Sequence, residues 1–115
     1  MAEVGWVVRK ELGKISAARF GFGGYQDVMM GASFTIGGEG WGVGDFWGTW
    51  ADDPSERAKW TFADQNDEFA KTTRRLVELL KAAKKSDVSQ LVGTPVEVTF
   101  DGNLLKSWRV LTEVV

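Results

Sequence analysis

The chain contains no cysteine and no histidine among its 115 residues. Without cysteine it has no disulfide framework and no thiol nucleophile. Without histidine it lacks the commonest general base, the commonest metal ligand and every serine–histidine triad. We therefore predict that the protein is not an enzyme, and we expect neither a cofactor nor a metal ion.

Long apolar runs and an excess of basic residues are missing as well. Fourteen Lys and Arg stand against sixteen Asp and Glu, which gives a net charge of −2. Because a basic stripe supplies most of the affinity for nucleic-acid polymers, we expect no DNA or RNA partner. No run of about 18 apolar residues is present for a membrane span, and no signal peptide is recognisable. We therefore expect no membrane partner and a cytoplasmic location.

Glycine and tryptophan are abundant, with 14 Gly and 6 Trp. Their distribution predicts one domain, 1–115, in three parts: a glycine-rich β-meander at 14–50, a long helix at 61–85 and a C-terminal β-hairpin at 95–114. The fold class is α+β, an antiparallel sheet of the three-strand meander and the hairpin, packed against one long and one short helix. The preceding residues form either a strand or a loosely attached arm.

The long helix has a clear start and one apolar stripe. Thr61 with Asp64 three residues on forms a capping box. Apolar residues then recur every seven positions, at Phe62, Phe69, Leu76 and Ala83. One helix covers only one face of a sheet, and the other face needs a partner. We therefore predict a homo-oligomer, a dimer or a multiple of dimers.

The meander strands predict one bulky and one bare face, because successive side chains of a strand point to opposite faces. Phe20 and Phe22 share one face of the first strand, and Gly21 and Gly23 share the other. The next two strands repeat this division. The glycines either permit tight packing and strong twist or let a ligand approach the backbone amides. They do not form a phosphate loop, since no Lys-Ser/Thr ending and no helix follow them.

The C-terminal hairpin supplies the main candidates for a binding site. A three-residue turn at 101–103 places Trp108 on the face of Val98 and Phe100, and Arg109 on the face of Glu97 and Leu105, as the pattern "VEVTFDGNLLKSWRVL" requires. A two-residue turn reverses these faces. Arg109 is either an ion-pair partner of Glu97 or Glu113, or an anion ligand. In the second case Trp108 stacks on the ligand and Asn103 gives it a hydrogen bond.

Further candidates lie outside the hairpin. Arg57, beside Trp60, is placed to hold an anion, and the amides of Gly24 and Gly37 and the ring of Tyr25 are candidate ligand contacts. Asp45, in "GVGDFWGTW", raises the possibility of a carboxylate pair or a metal ligand. Acidic residues beside glycine are mostly turn formers, so this is the less favoured interpretation.

Three stretches carry a resemblance: "FGFGGYQDVMMGASFTIGGEGWGVGDFWGTW", "SERAKWT" and "PVEVTFDGNLLKSWRVLTEVV". In this order and spacing, from about Arg19 onward, the chain resembles the phage-encoded Thoeris anti-defence sponge family. The resemblance implies a protein of the host cytoplasm that binds, without turnover, a cyclic ADP-ribose immune signal. It also implies an oligomer, and for some members separate sites for cyclic oligonucleotides. The alternative from another class is a phage inhibitor that binds a host defence protein directly.

Overall fold

The computed structural model describes residues 8–115, which form a five-stranded antiparallel sheet and one long helix. The elements are β1 (Val8–Gly23), β2 (Met29–Gly38), β3 (Trp41–Trp50), α1 (Phe62–Ala83), a short 3-10 helix (Val88–Leu91), β4 (Pro95–Asp101) and β5 (Leu104–Val110). The strand order is β3-β2-β1-β4-β5. This confirms the α+β prediction.

The first strand is longer than predicted and joins two half-sheets. It pairs with β4 through residues 8–14 and with β2 through residues 14–23. Ser16 is an extra residue in the ladder to β2, and its hydroxyl donates to the carbonyl oxygen of Thr35 at 3.2 Å. Such a bulge bends a strand and increases its twist. Residues 8–13 of the ambiguous N-terminal segment are therefore strand, and residues 1–7 lie outside the described part of the chain.

The bulky sheet face carries the core. We call the face toward α1 the inner face and the opposite one the outer face. The inner-face side chains that are buried are Ile15, Ala32, Phe34, Ile36, Trp47, Val96, Val98, Phe100 and Val110. Leu79 and Ala83 of α1, together with Leu91 of the 3-10 helix, complete the cluster.

The helix begins as the sequence predicts. The Thr61 hydroxyl accepts from the Asp64 amide at 3.2 Å, and the Asp64 carboxylate accepts from the Thr61 amide at 2.9 Å. The apolar stripe predicted for the helix differs at its first position. Phe62 is exposed, and Gln65 is buried in its place. The Gln65 side-chain amide donates to the carbonyl oxygens of Trp50 and Asp52, at 2.6 and 2.9 Å. These bonds fix the start of α1 to the end of β3. No helix in residues 8–115 has both the length and the apolar character that crossing a membrane requires.

The outer face carries the glycines, as parity predicted, and they have two different environments. A Cβ on Gly31 would lie 2.0 Å from the carbonyl oxygen of Trp47, and one on Gly48 would lie 2.2 Å from that of Met30. Here only glycine allows the two backbones to approach so closely. At Gly44, in contrast, the nearest atom within the described chain would lie at 3.7 Å. The long helix packs on the inner face and does not cover these glycines.

The sequence left the β4–β5 turn open between three residues and two. The loop has two residues, Gly102 and Asn103, and a register shift follows at Lys106. The shift reverses the faces again, so Trp108 shares the inner face with Val98, as the three-residue alternative gave. Leu105 lies opposite Phe100 and packs on the core, as the two-residue alternative gave.

Candidate functional site

Two tryptophans from opposite edges of the sheet meet on the inner face. Trp47 lies on β3 and Trp108 on β5, and curling of the sheet brings their rings to 5.5 Å between centroids at an interplanar angle of 17°. The buried ring of Phe34 lies against both, at 4.7 Å from Trp47 and 5.3 Å from Trp108. The result is a stacked indole pair on a fixed apolar base.

The carboxylate of Asp45 holds this pair. One oxygen, Oδ2, accepts from the indole Nε1 of Trp47 at 2.9 Å and of Trp108 at 2.7 Å. The other, Oδ1, accepts from the amide of Phe46 at 2.9 Å. Hydrogen bonds to an ionised acceptor are about twice as strong as neutral ones. Asp45 is therefore engaged at both oxygens, and it lies within β3 and not in a turn.

A cation from the helix lies on the same aromatic pair. The guanidinium carbon of Arg75 is 3.9 Å from the centroid of a Trp47 ring. Such a contact contributes about 0.5–1 kcal/mol at exposed sites and more where water is excluded. Arg75 thus places a positive charge and five N–H donors beside an aromatic wall.

A cavity of about 390 Å³ opens at this place, between α1 and β5. Its polar and aromatic lining consists of Trp47, Arg74, Arg75, Glu78, Trp108 and Arg109. Leu79 and Val110 form part of its apolar floor. Pockets of a few hundred cubic ångströms with an apolar lining and a few convergent polar groups are typical of small-molecule sites.

Arg109 has two carboxylate partners. Its Nε donates to Glu97 at 3.2 Å, and its two terminal nitrogens donate to the two oxygens of Glu113 at 3.0 Å each. These bonds raise the pKa of Arg109 above its usual value, and the bonds from Arg109 lower the pKa of Glu113 to about 2. The ion-pair alternative for Arg109 is thus present, while its half-exposed guanidinium also lines the cavity.

The structure brings two of the seven predicted site residues together, Trp108 and Arg109. The other five lie elsewhere: Asn103 exposed in the β4–β5 turn, Arg57 exposed in the loop before α1, Gly37 in β2, and Gly24 and Tyr25 in the β1–β2 connection. The side chain of Tyr25 is 65% exposed, and its ring lies edge-on to that of Trp50, with 6.4 Å between the ring centroids.

The sequence analysis did not select Arg75 or Trp47 for the site. A signal for Arg75 was present, because it stands three residues after Thr72 and four before Leu79, both buried, and therefore borders the buried stripe of α1. For Trp47 the deciding contact is with the far edge of the sheet, and strand periodicity does not reveal it. Among residues 8–115 no three Asp or Glu side chains cluster in a way that would hold a metal ion.

No protein-family model, curated protein or solved structure matches the chain significantly. The resemblance to the sponge family therefore stays a prediction, and the site's chemistry has to be argued from its own geometry.

Proposed function

We propose that the protein binds and sequesters a small cyclic nucleotide signal, a cyclic ADP-ribose isomer, in the cavity between α1 and β5. The observation that carries the proposal is the pairing of flat aromatic surface with guanidinium groups. Arg75 lies 3.9 Å from a Trp47 ring, and Trp47 stacks on Trp108. Trp47 is buried, so the partly exposed ring of Trp108 offers a purine base its stacking surface, and the guanidinium groups suit a pyrophosphate.

The charges around the cavity support an anionic ligand. Arg74, Arg75 and Arg109 line the cavity together with one carboxylate, Glu78. Arg109 is already paired with two other carboxylates, so the positive charge offered to a ligand comes from Arg74 and Arg75. Within the described chain, neither Arg74 nor Arg75 forms an ion pair. Their guanidinium donors are therefore open to phosphate oxygens. A glutamate at the rim suits the hydroxyl and amino donors of a ribose or a base.

The state of the acid group beside the indole pair supports binding without turnover. The chain has no histidine and no cysteine. Asp45 is the carboxylate beside the indole pair, and its two oxygens already accept three N–H donors. It is thus poorly placed to act as a general base or nucleophile. Such a protein binds its ligand in stoichiometric amounts and does not convert it. A phage counter-defence protein in the host cytoplasm would lower the concentration of an immune signal in this way.

Calorimetric titration with cyclic ADP-ribose tests the proposal, with adenosine and ribose 5-phosphate as partial ligands. We expect saturable binding of the cyclic compound, and weaker binding of each part because each satisfies only one kind of surface. At a hundredfold excess over Kd the ligand should add about 2.7 kcal/mol to the free energy of unfolding. The ligand should be recovered intact after heat denaturation. Conversion of the ligand would show an enzyme instead.

Two variants localise the binding. Arg75→Ala should weaken binding at least tenfold, because it removes charge-assisted bonds. Lys81→Ala removes one charge from an exposed position of the same helix and serves as the matched control. Arg57→Ala tests the loop candidate of the sequence analysis. If Arg57→Ala abolishes binding and Arg75→Ala does not, the ligand lies elsewhere.

We also propose that the protein forms a homodimer or a multiple of it. Residues 17–23 of β1 pair with β2 and with no other strand of the described chain. Beside this open edge Phe20 and Phe22 are 54% and 58% exposed. An apolar open edge is a template for another strand. Light scattering should give a multiple of the 12.7 kDa chain mass. Phe20→Ser should reduce the mass, and Leu104→Ser, at a hairpin residue that is 75% exposed, should not.

The same exposed phenylalanines support the alternative, an inhibitor that binds a host defence protein. In that case cyclic ADP-ribose does not bind, and the protein forms a stoichiometric complex with a host protein. Phe20→Ser should abolish this complex, whereas Arg75→Ala should leave it intact.

A further inference from the structure

Asp45 occupies an unusual place for a carboxylate. It lies opposite Phe34 in the β2–β3 ladder and shares the inner face of β3 with Val43 and Trp47, so its in-phase neighbours are large apolar side chains. A charged group among apolar side chains lowers stability unless its lone pairs are satisfied. Three N–H donors within 3 Å satisfy those of Asp45.

The geometry of these donors is asymmetric. The amide of Phe46 is local and lies on the same strand. The indole of Trp108 belongs to the strand at the other end of the sheet order, 63 residues later in the chain. β3 and β5 share no ladder hydrogen bonds, because β2, β1 and β4 lie between them. The bond from Trp108 to Asp45 is therefore a polar tie between two edges that backbone pairing does not join.

Both indoles donate to the same oxygen, Oδ2 of Asp45. Two donors that converge on one atom bring their ring systems side by side, and the observed interplanar angle of 17° agrees with this. Hydrophobic contact alone does not fix such an angle, because it is non-directional. The orientation of the cavity wall thus depends on one carboxylate oxygen.

We propose that Asp45 is the positioning residue of the nucleotide pocket. It aligns Trp47 and Trp108 into one aromatic wall and keeps the Trp47 ring where Arg75 lies against it. The inference rests on the proposed function, since it names the residue that prepares that site for a ligand. Asp45 itself does not touch the ligand and acts through the two indoles.

Asp45→Leu tests this with little change in shape, because it keeps a branched side chain and removes both acceptor oxygens. Asp45→Asn is less decisive, since an amide oxygen at the Oδ2 position would still accept from both indoles. Asp67→Leu, at an exposed position of α1, is the matched control. Far-UV circular dichroism establishes that each variant is folded.

Two readouts follow the wall and the site separately. Near-UV circular dichroism of the free protein reports the stacked indole pair, and Asp45→Leu should lose most of that signal while Asp67→Leu keeps it. Calorimetry with cyclic ADP-ribose should show at least a tenfold loss of affinity for Asp45→Leu. Trp108→Phe should lose affinity as well, and the double variant should lose little more than the worse single one, because both changes break one tie.

The outcomes are distinct. Retention of both the near-UV signal and the affinity in folded Asp45→Leu would overturn the inference, as would additive losses in the double variant. If the parent does not bind cyclic ADP-ribose, the proposed function fails, and the near-UV signal alone decides whether Asp45 aligns the pair. If Asp45→Leu does not fold, Trp47→Phe and Trp108→Phe take its place. Each removes one donor and keeps a ring, and each must lower the affinity; parental affinity in both would overturn the inference.

Discussion

Glycines on the two faces of the sheet show two different uses of a missing side chain. On the inner face, Gly38 makes room for one large ring: a Cβ there would lie 2.5 Å from three atoms of the indole of Trp41. On the outer face, Gly31 and Gly48 let two backbones approach one another. Gly38 therefore admits a side chain, and Gly31 and Gly48 shape the sheet.

This contrast explains where the candidate site lies. Curvature of the sheet toward α1 brings the β3 and β5 edges together on the inner face, where Trp47 and Trp108 meet. The outer face of the same strands carries glycines and no comparable aromatic pair in the described chain. Twist permitted by glycine on one side thus concentrates aromatic surface and arginine on the other.

The largest expected effect separates two glycines of the outer face. Gly48→Ala should lower the free energy of unfolding by about 1–3 kcal/mol or more, because its Cβ would overlap the backbone of Met30. Gly44→Ala has open space and should be neutral or stabilising by about 0.5–1 kcal/mol, since alanine loses less entropy on folding. Urea denaturation of both variants measures the difference. If both variants lost the same free energy of unfolding, Gly48 would not shape the sheet in a way that Gly44 does not.

A smaller effect is expected on the inner face. In Gly38→Ala a Cβ would lie 2.5 Å from three atoms of the Trp41 indole. The free energy of unfolding should fall by about 1 kcal/mol, at the low end for an overpacked site, because a side chain moves more easily than a backbone. The tryptophan fluorescence emission should change because the Trp41 ring must move away from Gly13 and Phe100. Gly42→Ala, with its nearest atom at 3.8 Å, is the outer-face control and should leave the emission as it was.

The smallest effect concerns the ion pair at the cavity rim. The pKa of Glu113 is lowered from 4.5 to about 2 in the folded protein, so the pair stabilises the fold above pH 4.5 and loses this contribution as the pH falls toward 2. Glu113→Gln should therefore have a slightly lower Tm than the parent at pH 7 and the same Tm near pH 2. A Tm difference that persists unchanged at pH 2 would exclude the pair as its cause.

Local features of the fold could be predicted from the sequence, and contacts between distant strands could not. Thr61 and Asp64 predict the helix start because a capping box is a pattern of four consecutive residues. The alternation of Phe20 and Phe22 with glycine predicts the faces of that part of β1. The tie between Asp45 and Trp108 depends on how far the sheet curls, which a bulge at Ser16 and close backbones elsewhere determine together. The extent of this curling cannot be predicted from the periodicity of a single strand.

The candidate site was predictable to the same extent. The face of Trp108 follows from the parity of one hairpin, although the register shift at Lys106 was needed to restore it. The same parity puts Arg109 on the opposite face of β5, so its place at the cavity rim could not be predicted from it. Arg75 belongs to the site only because α1 crosses the sheet beside Trp47. The candidates at loops, such as Arg57 and Tyr25, had the right chemistry for a nucleotide, and the fold places them away from the cavity.

The central claim is that the inner-face cavity binds a nucleotide against the indole pair. The most direct test is a ¹H–¹⁵N spectrum of the indole N–H groups during titration with cyclic ADP-ribose, assigned by single Trp→Phe variants. We predict that the signals of Trp47 and Trp108 shift in a saturable way, while those of Trp50 and Trp60 remain in place. Saturable shifts confined to Trp50 or Trp60, or no shifts at all, would contradict the claim.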